Sequence, residues 1–175
     1  MPRQRPTRCE KGEVLKTLRE FYLERRKAEL PIFLKVLRAL PADKMDYRPH
    51  ERSSTAQQLV WTLTNELSTC VTVAREHRGE WKSDPAPGLE EMIAQFEKHA
   101  NDLVEAVSAM DDAAWDKPAE FYYGGKKVNE QPASAFLWMI HFDAIHHRGQ
   151  LTTYLRPMGS KVPAIYGPSG DERPS

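Results

Sequence analysis

The 175-residue chain is poor in cysteine, in long apolar runs and in net charge, and each shortage excludes a class of protein. Cysteine occurs only at Cys9 and Cys70, too few for a disulfide framework, and the expected compartment is the reducing cytoplasm. No apolar run approaches the roughly 18 residues of a membrane-spanning helix. No apolar signal region follows the basic, proline-containing start Met1 to Arg8. Lysine plus arginine and aspartate plus glutamate both number 25, so the formal net charge is zero. A general nucleic-acid binder carries a basic excess, so neither nucleic acid nor a membrane is an expected partner. The chain has no internal repeat.

Amphipathic helical periodicity is abundant. Apolar residues at three- and four-residue steps predict helices over 13–40, 54–78, 89–110 and 131–157. In the first, Leu15, Leu18, Tyr22, Phe33, Val36, Leu37 and Leu40 form the stripe, and Pro31 predicts a kink or a split. Ser53 and Ser54 are N-cap candidates for the second helix and Gly79 its stop. A short helical turn is expected within 111–117. Phe121 to Tyr123, Gly124-Gly125 and Lys126 to Val128 read as a small β-hairpin before the last helix. Four such helices bury their stripes best as an all-α four-helix bundle, expected as one antiparallel bundle. The expected organisation is a disordered basic tail over 1–10, the bundle over 11–167 and a flexible C-terminal tail over 168–175.

The chemistry-bearing stretch is His141 to Gln150, inside the last helix. Residues four apart differ by about 40° in direction, so Asp143 and His147 share a face, with Gln150 near the same line and His146 at its border. His141 points elsewhere, towards Ile145 and Arg148. An aspartate and a histidine at this spacing suit either a common metal ion or a simple hydrogen-bonded pair. On the second helix Thr62, Glu66 and Cys70 repeat at four-residue steps. Glu66 is either a solvated residue or a partner to that pair; in the second case two carboxylates together require a cation or a shared proton. Cys70 reads as a small buried residue, Arg148 as a structural ion-pair partner and Gly149 as a point of close helix approach. His50, His77 and His99 lack ligand spacing and read as surface residues.

The block Asp143 to Leu151, followed by Tyr154-Leu155-Arg156, Gly159 and Lys161 to Gly167, resembles the end of DinB-like proteins. Leu40-Pro41, Met45 to Pro49 and the helix beginning at Ser54 add to the likeness in the right order. The resemblance implies a four-helix bundle, commonly a homodimer. It also implies a divalent metal such as zinc, nickel, manganese or iron, held by histidines from the second and last helices. In some members it implies thiol-dependent transferase activity with bacillithiol or mycothiol. The family's name reflects a link to DNA-damage stress, not DNA binding.

His147 matches the last ligand of that pattern. Asp143 stands where the family often has histidine, and Thr62 occupies the position of the second-helix histidine, leaving Glu66 as its replacement. The expected metal ligands are therefore Glu66, Asp143 and His147. Glu66 or His146 would move protons, and Thr62, Tyr47 and Gln150 would edge the pocket. Tyr47, Arg48 and Tyr166 are candidates for its mouth. The expected function is a metal-dependent enzyme, a thiol transferase or hydrolase acting on a small thiol or another small molecule. The other reading is a non-catalytic dimeric bundle with a degenerate site.

Overall fold

A computed structural model describes residues 16–82 and 84–173; the expected tail over 1–10 and Cys9 lie outside the described residues. Among the described residues five α-helices and three strands follow in order, with a 3-10 turn at Ala42–Lys44 between the first two helices. They are α1 (Leu18–Arg38), α2 (Ala56–Glu76), β1 (Arg78–Trp81), α3 (Leu89–Ala109), α4 (Asp112–Asp116), β2 (Pro118–Tyr123), β3 (Lys126–Pro132) and α5 (Ala133–Leu155). The long helices α1, α2, α3 and α5 are the four read from periodicity, α4 is the expected short turn, and β2–β3 is the expected hairpin.

Local chemistry sets the helix starts. Thr17 and Thr55 each cap a helix through a reciprocal capping box, with Glu20 and Gln58 returning the bond. The cap of α2 is thus Thr55, not Ser53 or Ser54: Thr55 accepts from Gln58 N and Gln58 returns the bond, whereas Gln57, three residues after Ser54, donates to Pro87 O instead. Helix α1 runs through Pro31 without a split. Pro31 and Lys27, the residue whose carbonyl loses its donor, both lie on the solvent face, where water can satisfy that oxygen. Phe33, Leu34 and Leu37 beyond it are held in the core. Leu18, assigned to the apolar stripe, is instead 70% exposed. The buried line of α1 is Tyr22, Arg26, Glu29, Phe33 and Val36–Leu37, so two charged residues occupy core positions.

Helices α1 and α2 each pack on both α3 and α5, which places α1 and α2 across the bundle from each other. Ser54 and Glu66 of the second-helix region meet Tyr154 and His147, so α2 and α5 run antiparallel. Phe21 and Glu29 meet Trp138 and Arg148, so α1 and α5 run parallel. Helix α3 starts again beside the start of α2, where Gln57 donates to Pro87 O and Trp61 to Asp84 O. The order is therefore up-down-down-up, and only part of the expected antiparallel arrangement holds. Residues 77–88 make this possible. Extended, they reach roughly 40 Å, enough to return along a helix about 31 Å long.

That return segment adds a strand the sequence reading did not predict. Strand β1 pairs in parallel with β2, making a three-stranded sheet β1-β2-β3. Helix α2 ends with His77 in the left-handed region, its ring half-buried and 2.9 Å from Ala114 O, rather than at Gly79. Gly79 lies inside β1, where a Cβ would come within 2.9 Å of Thr69 and Val73. Its lack of a side chain lets the strand lie directly on α2. Gly124 and Gly125 supply the two positive φ angles of the hairpin turn.

The core is filled by Phe33, Leu37, Leu63, Leu67, Met92, Phe96, Leu103, Leu137, Leu151 and Leu155. After Gly159 the described residues form no helix or strand but are tied to the bundle by Ser160 to Ala39 O, Arg156 to Asp171 and Lys35 to Glu172. Among the described residues no helix is long and apolar enough to cross a membrane.

Candidate metal centre

Helix α5 is buried on two sides, towards α1 and towards α2, and its residues divide accordingly. On the α2 side Asp143 and His147, one turn apart, face Glu66. The His147 Nε2 atom lies 3.4 Å from Asp143 Oδ2 and 4.0 Å from Glu66 Oε1. One ligand atom from each of the three residues falls within 4.8 Å of the others. Two bonds of about 2.1 Å span at most about 4.2 Å, so both histidine–carboxylate separations suit a shared ion.

The three side chains differ in environment. Glu66 is 3% exposed, whereas the Asp143 side chain is 48% exposed and opens the group to solvent. Glu66 Oε2 is fully buried and has no hydrogen-bond partner among the described residues. Burial, and then the Asp143 carboxylate beside it, push the Glu66 carboxyl up to about 9, against an opposing pull from Arg26. A carboxyl in this position holds a proton at neutral pH unless a cation replaces it.

Gln150 completes the arrangement. Its Oε1 lies 2.8 Å from His147 Nδ1, so the ring donates from Nδ1 and keeps the Nε2 lone pair turned to the carboxylates. A histidine so oriented, two carboxylates and an orphaned buried oxygen fit a divalent cation, with Glu66, Asp143 and His147 as its ligands.

The other predicted positions are less involved. Thr62 is half-buried one turn before Glu66 and makes no side-chain hydrogen bond among the described residues. His146 is exposed, its ring centroid 5.5 Å from that of His147. Tyr47 packs edge-on against Tyr154, near the start of α2. Arg48 is exposed. Tyr166 belongs to a different cluster, on the α1 side. Gly149 does not mediate close helix approach, because a side chain there would meet nothing within 4 Å. Cys70 is buried as expected, and burial pushes its thiol up to about 12, which removes it as a nucleophile.

The α1 side of α5 holds residues whose roles the sequence reading left open. Arg148 donates to Glu29 Oε2 at 2.5 Å and to Tyr166 Oη at 2.6 Å, and Tyr166 donates to Glu29. Arg25 donates to Glu29 Oε1 at 2.8 Å. Arg26 Nη1 lies 3.0 Å from His141 Nδ1. Burial, then the positive charge of Arg26, hold the His141 ring down at about 4, so it is neutral. Arg26 and Glu29 had a signal: they sit at the three- and four-residue steps of the buried line from Tyr22 to Phe33.

A helical bundle with a carboxylate–histidine group between its second and last long helices defines a class of metal-type four-helix domains. A family profile of the DinB superfamily matches residues 27–151. The chain belongs to the DinB superfamily.

Solved structures share the fold. A DinB-like protein from Bacillus cereus is similar at a TM-score of 0.69 and 23% identity, over 83% of this chain and 95% of that one. A DinB-like protein from Bacillus subtilis gives 0.63 and 19%, over 81% and 93%. A mutant of the mycothiol-dependent maleylpyruvate isomerase gives 0.54 and 13%, over 85% and 65%. A search of curated proteins found no match.

Proposed function

We propose that this chain is a metal-dependent enzyme that activates a small thiol or a water molecule, acting as a thiol transferase or hydrolase. The observation that carries this reading is the convergence of Glu66, Asp143 and His147, with the Glu66 carboxyl buried and one oxygen unpartnered. The likeness in fold to a mycothiol-dependent isomerase supports a thiol as the co-substrate. A divalent ion held by these three residues would supply Lewis acidity, lowering the pKa of a thiol or water near neutral pH.

The protein's own groups account for the rest. Gln150 fixes the His147 tautomer, so that Nε2 is always the free nitrogen. Half-exposed Asp143 leaves one side open for a small molecule to enter. Glu66, through its unpartnered Oε2, or exposed His146 would take up the proton released there. A homodimer in a reducing compartment, with no nucleic-acid partner, belongs to the same proposal.

The test is metal analysis of protein purified without a histidine tag, followed by assays with small thiols and a panel of electrophiles. About one ion per chain, lost in His147→Ala together with thiol transfer or hydrolysis, is the expected result. Failure to retain zinc, manganese, iron or nickel, with no turnover, would sink the reading. A second reading would then take its place: a non-catalytic bundle in which a proton shared by Glu66 and Asp143 stands in for the cation. The Asp143 carboxylate beside Glu66, and the absence of histidine at positions 62 and 143, favour it.

A further inference from the structure

The side of α5 turned away from the carboxylate–histidine group carries a groove of about 550 Å³ against α1. This falls in the range of about 300–1,000 Å³ typical of small-molecule sites. Four large apolar side chains that stay exposed, Leu18, Phe21, Phe142 and Tyr166, border it. Trp138 links Phe21 and Phe142 into one aromatic wall, with ring centroids 5.9 and 5.6 Å from its own.

The floor of the groove is polar. His141 lines it although only 3% exposed. Arg26 Nη1 lies 3.0 Å from His141 Nδ1, and a guanidinium can only donate. Nδ1 therefore accepts, and the ring proton sits on Nε2, at the ring edge away from Arg26. That N–H has no acceptor among the described residues.

The charges around it are unbalanced. Arg25, Arg26 and Arg148 surround His141, against Glu29 alone. Both oxygens of Glu29 are already engaged by Arg25, Arg148 and Tyr166. The groove thus joins an apolar wall to an unanswered donor in a cationic setting, with no free carboxylate to repel an anion.

We propose that this groove is a second ligand site, which takes a small hydrophobic carboxylate. An aryl or acyl body lies along Phe21, Trp138 and Phe142, and the carboxylate meets the Nε2–H of His141 and the guanidinium of Arg25. The site is separate from the carboxylate–histidine group and does not depend on a metal.

The test is calorimetric titration of the full chain with 1-naphthaleneacetate, and with 1-naphthaleneacetamide as the uncharged control. One site is expected, with the amide bound at least about tenfold more weakly, the scale of one charge-assisted hydrogen bond. Arg25→Gln and the surface substitution Phe142→Ser should each weaken the acid by about tenfold, and His147→Ala should leave its affinity unchanged. His141→Phe should abolish binding and His141→Gln, which keeps one donor and one acceptor, should restore it. If His141→Phe fails to fold, the amide control and Phe142→Ser still decide the matter.

Equal affinity for acid and amide, or loss of binding in His147→Ala, would overturn the proposal. So would the absence of binding up to millimolar ligand. Light scattering that shows a dimer dispersed by Phe142→Ser, with no ligand bound, would assign the groove to a second copy of the chain and overturn it equally.

Discussion

Glu29 on α1 and Glu66 on α2 are both core residues, 1% and 3% exposed, and both face α5. Their surroundings differ in the number of donors. Burial pushes the Glu29 carboxyl up, but donors from Arg148, Tyr166 and Arg25 outweigh it and hold the group below the usual glutamate range. Glu66 has no such set. Burial and the neighbouring Asp143 carboxylate push it up to about 9. Two carboxyls similarly closed off from solvent therefore shift in opposite directions, and the donors gathered around Glu29 but not around Glu66 are a main part of the difference. A saturated carboxylate has nothing left to bind. A carboxylate with an orphaned oxygen, close to a second carboxylate and a histidine, is available for an ion. At these two glutamates, the sides of α5 thus divide into a structural clamp and a candidate metal site.

The hardest blow to this contrast falls on the clamp. Arg148→Met would leave Glu29 buried without its strongest partner, and removing one member of a buried pair costs about 3–5 kcal/mol. Urea denaturation should register that loss. A loss below about 1 kcal/mol would show the pair to be worth no more than a surface one and would dissolve the contrast.

The next effect concerns the site. A divalent ion at a hundred times its dissociation constant should stabilise the fold by about 2.7 kcal/mol. Thermal unfolding should show this gain in the native chain and in Arg148→Gln if that variant folds, but not in His147→Ala. Glu66→Gln should weaken the gain while leaving the metal-free fold at least as stable at pH 8, since it keeps the shape and removes the group that must ionise there. An equal gain in His147→Ala would place the ion elsewhere.

The pH dependence should run in opposite directions on the two sides. Glu29 has a lowered carboxyl, so its contribution is present above the unfolded-state value near 4.3 and is lost as pH falls through the folded value. Glu66 has a raised carboxyl, so its contribution is complete below the unfolded-state value and is lost as pH rises towards about 9. Between these limits the metal-free fold holds up to one more proton than the unfolded chain. Its stability should fall by at most about 1.4 kcal/mol per pH unit. Urea midpoints of metal-free protein at pH 6, 7 and 8 should show that decline, and Glu66→Gln should remove it. No difference between the two proteins would mean that Glu66 is ionised at neutral pH.

The two sides were unequally legible in the sequence. Asp143 and His147 lie four residues apart, so helix geometry alone puts them together, whereas spacing along α2 left Glu66 open as a solvated residue and only the family resemblance selected it. The clamp joins Glu29 to Arg148 and Tyr166 across long stretches of chain, and no local spacing encodes such a contact. Arg148 could be read as an ion-pair partner without the partner being known. Strand β1 was hidden for a related reason. Arg78 to Trp81 are too few residues for an alternating pattern, and their pairing depends on β2, far along the chain. The up-down-down-up order rested on whether residues 77–88 turned back or ran the length of the bundle, which composition does not decide.

The smallest effect tests whether α5 holds both sides as one rigid element. Gly149 sits between Arg148, which belongs to the clamp, and Gln150, which orients His147. A Cβ there meets nothing within 4 Å, and its backbone is helical. Gly149→Ala should therefore stabilise the fold by about 0.5–1 kcal/mol, by removing glycine's excess freedom in the unfolded chain. If the clamp and the site are both carried by an already straight helix, the pH slopes and the metal-dependent gain should stay as they were. If the substitution stabilises the fold but lowers metal retention, the His147–Gln150 geometry needs the freedom of a glycine, and the two sides are coupled through it. If it destabilises the fold, the open space beside Gly149 is filled in solution by something that a methyl group displaces.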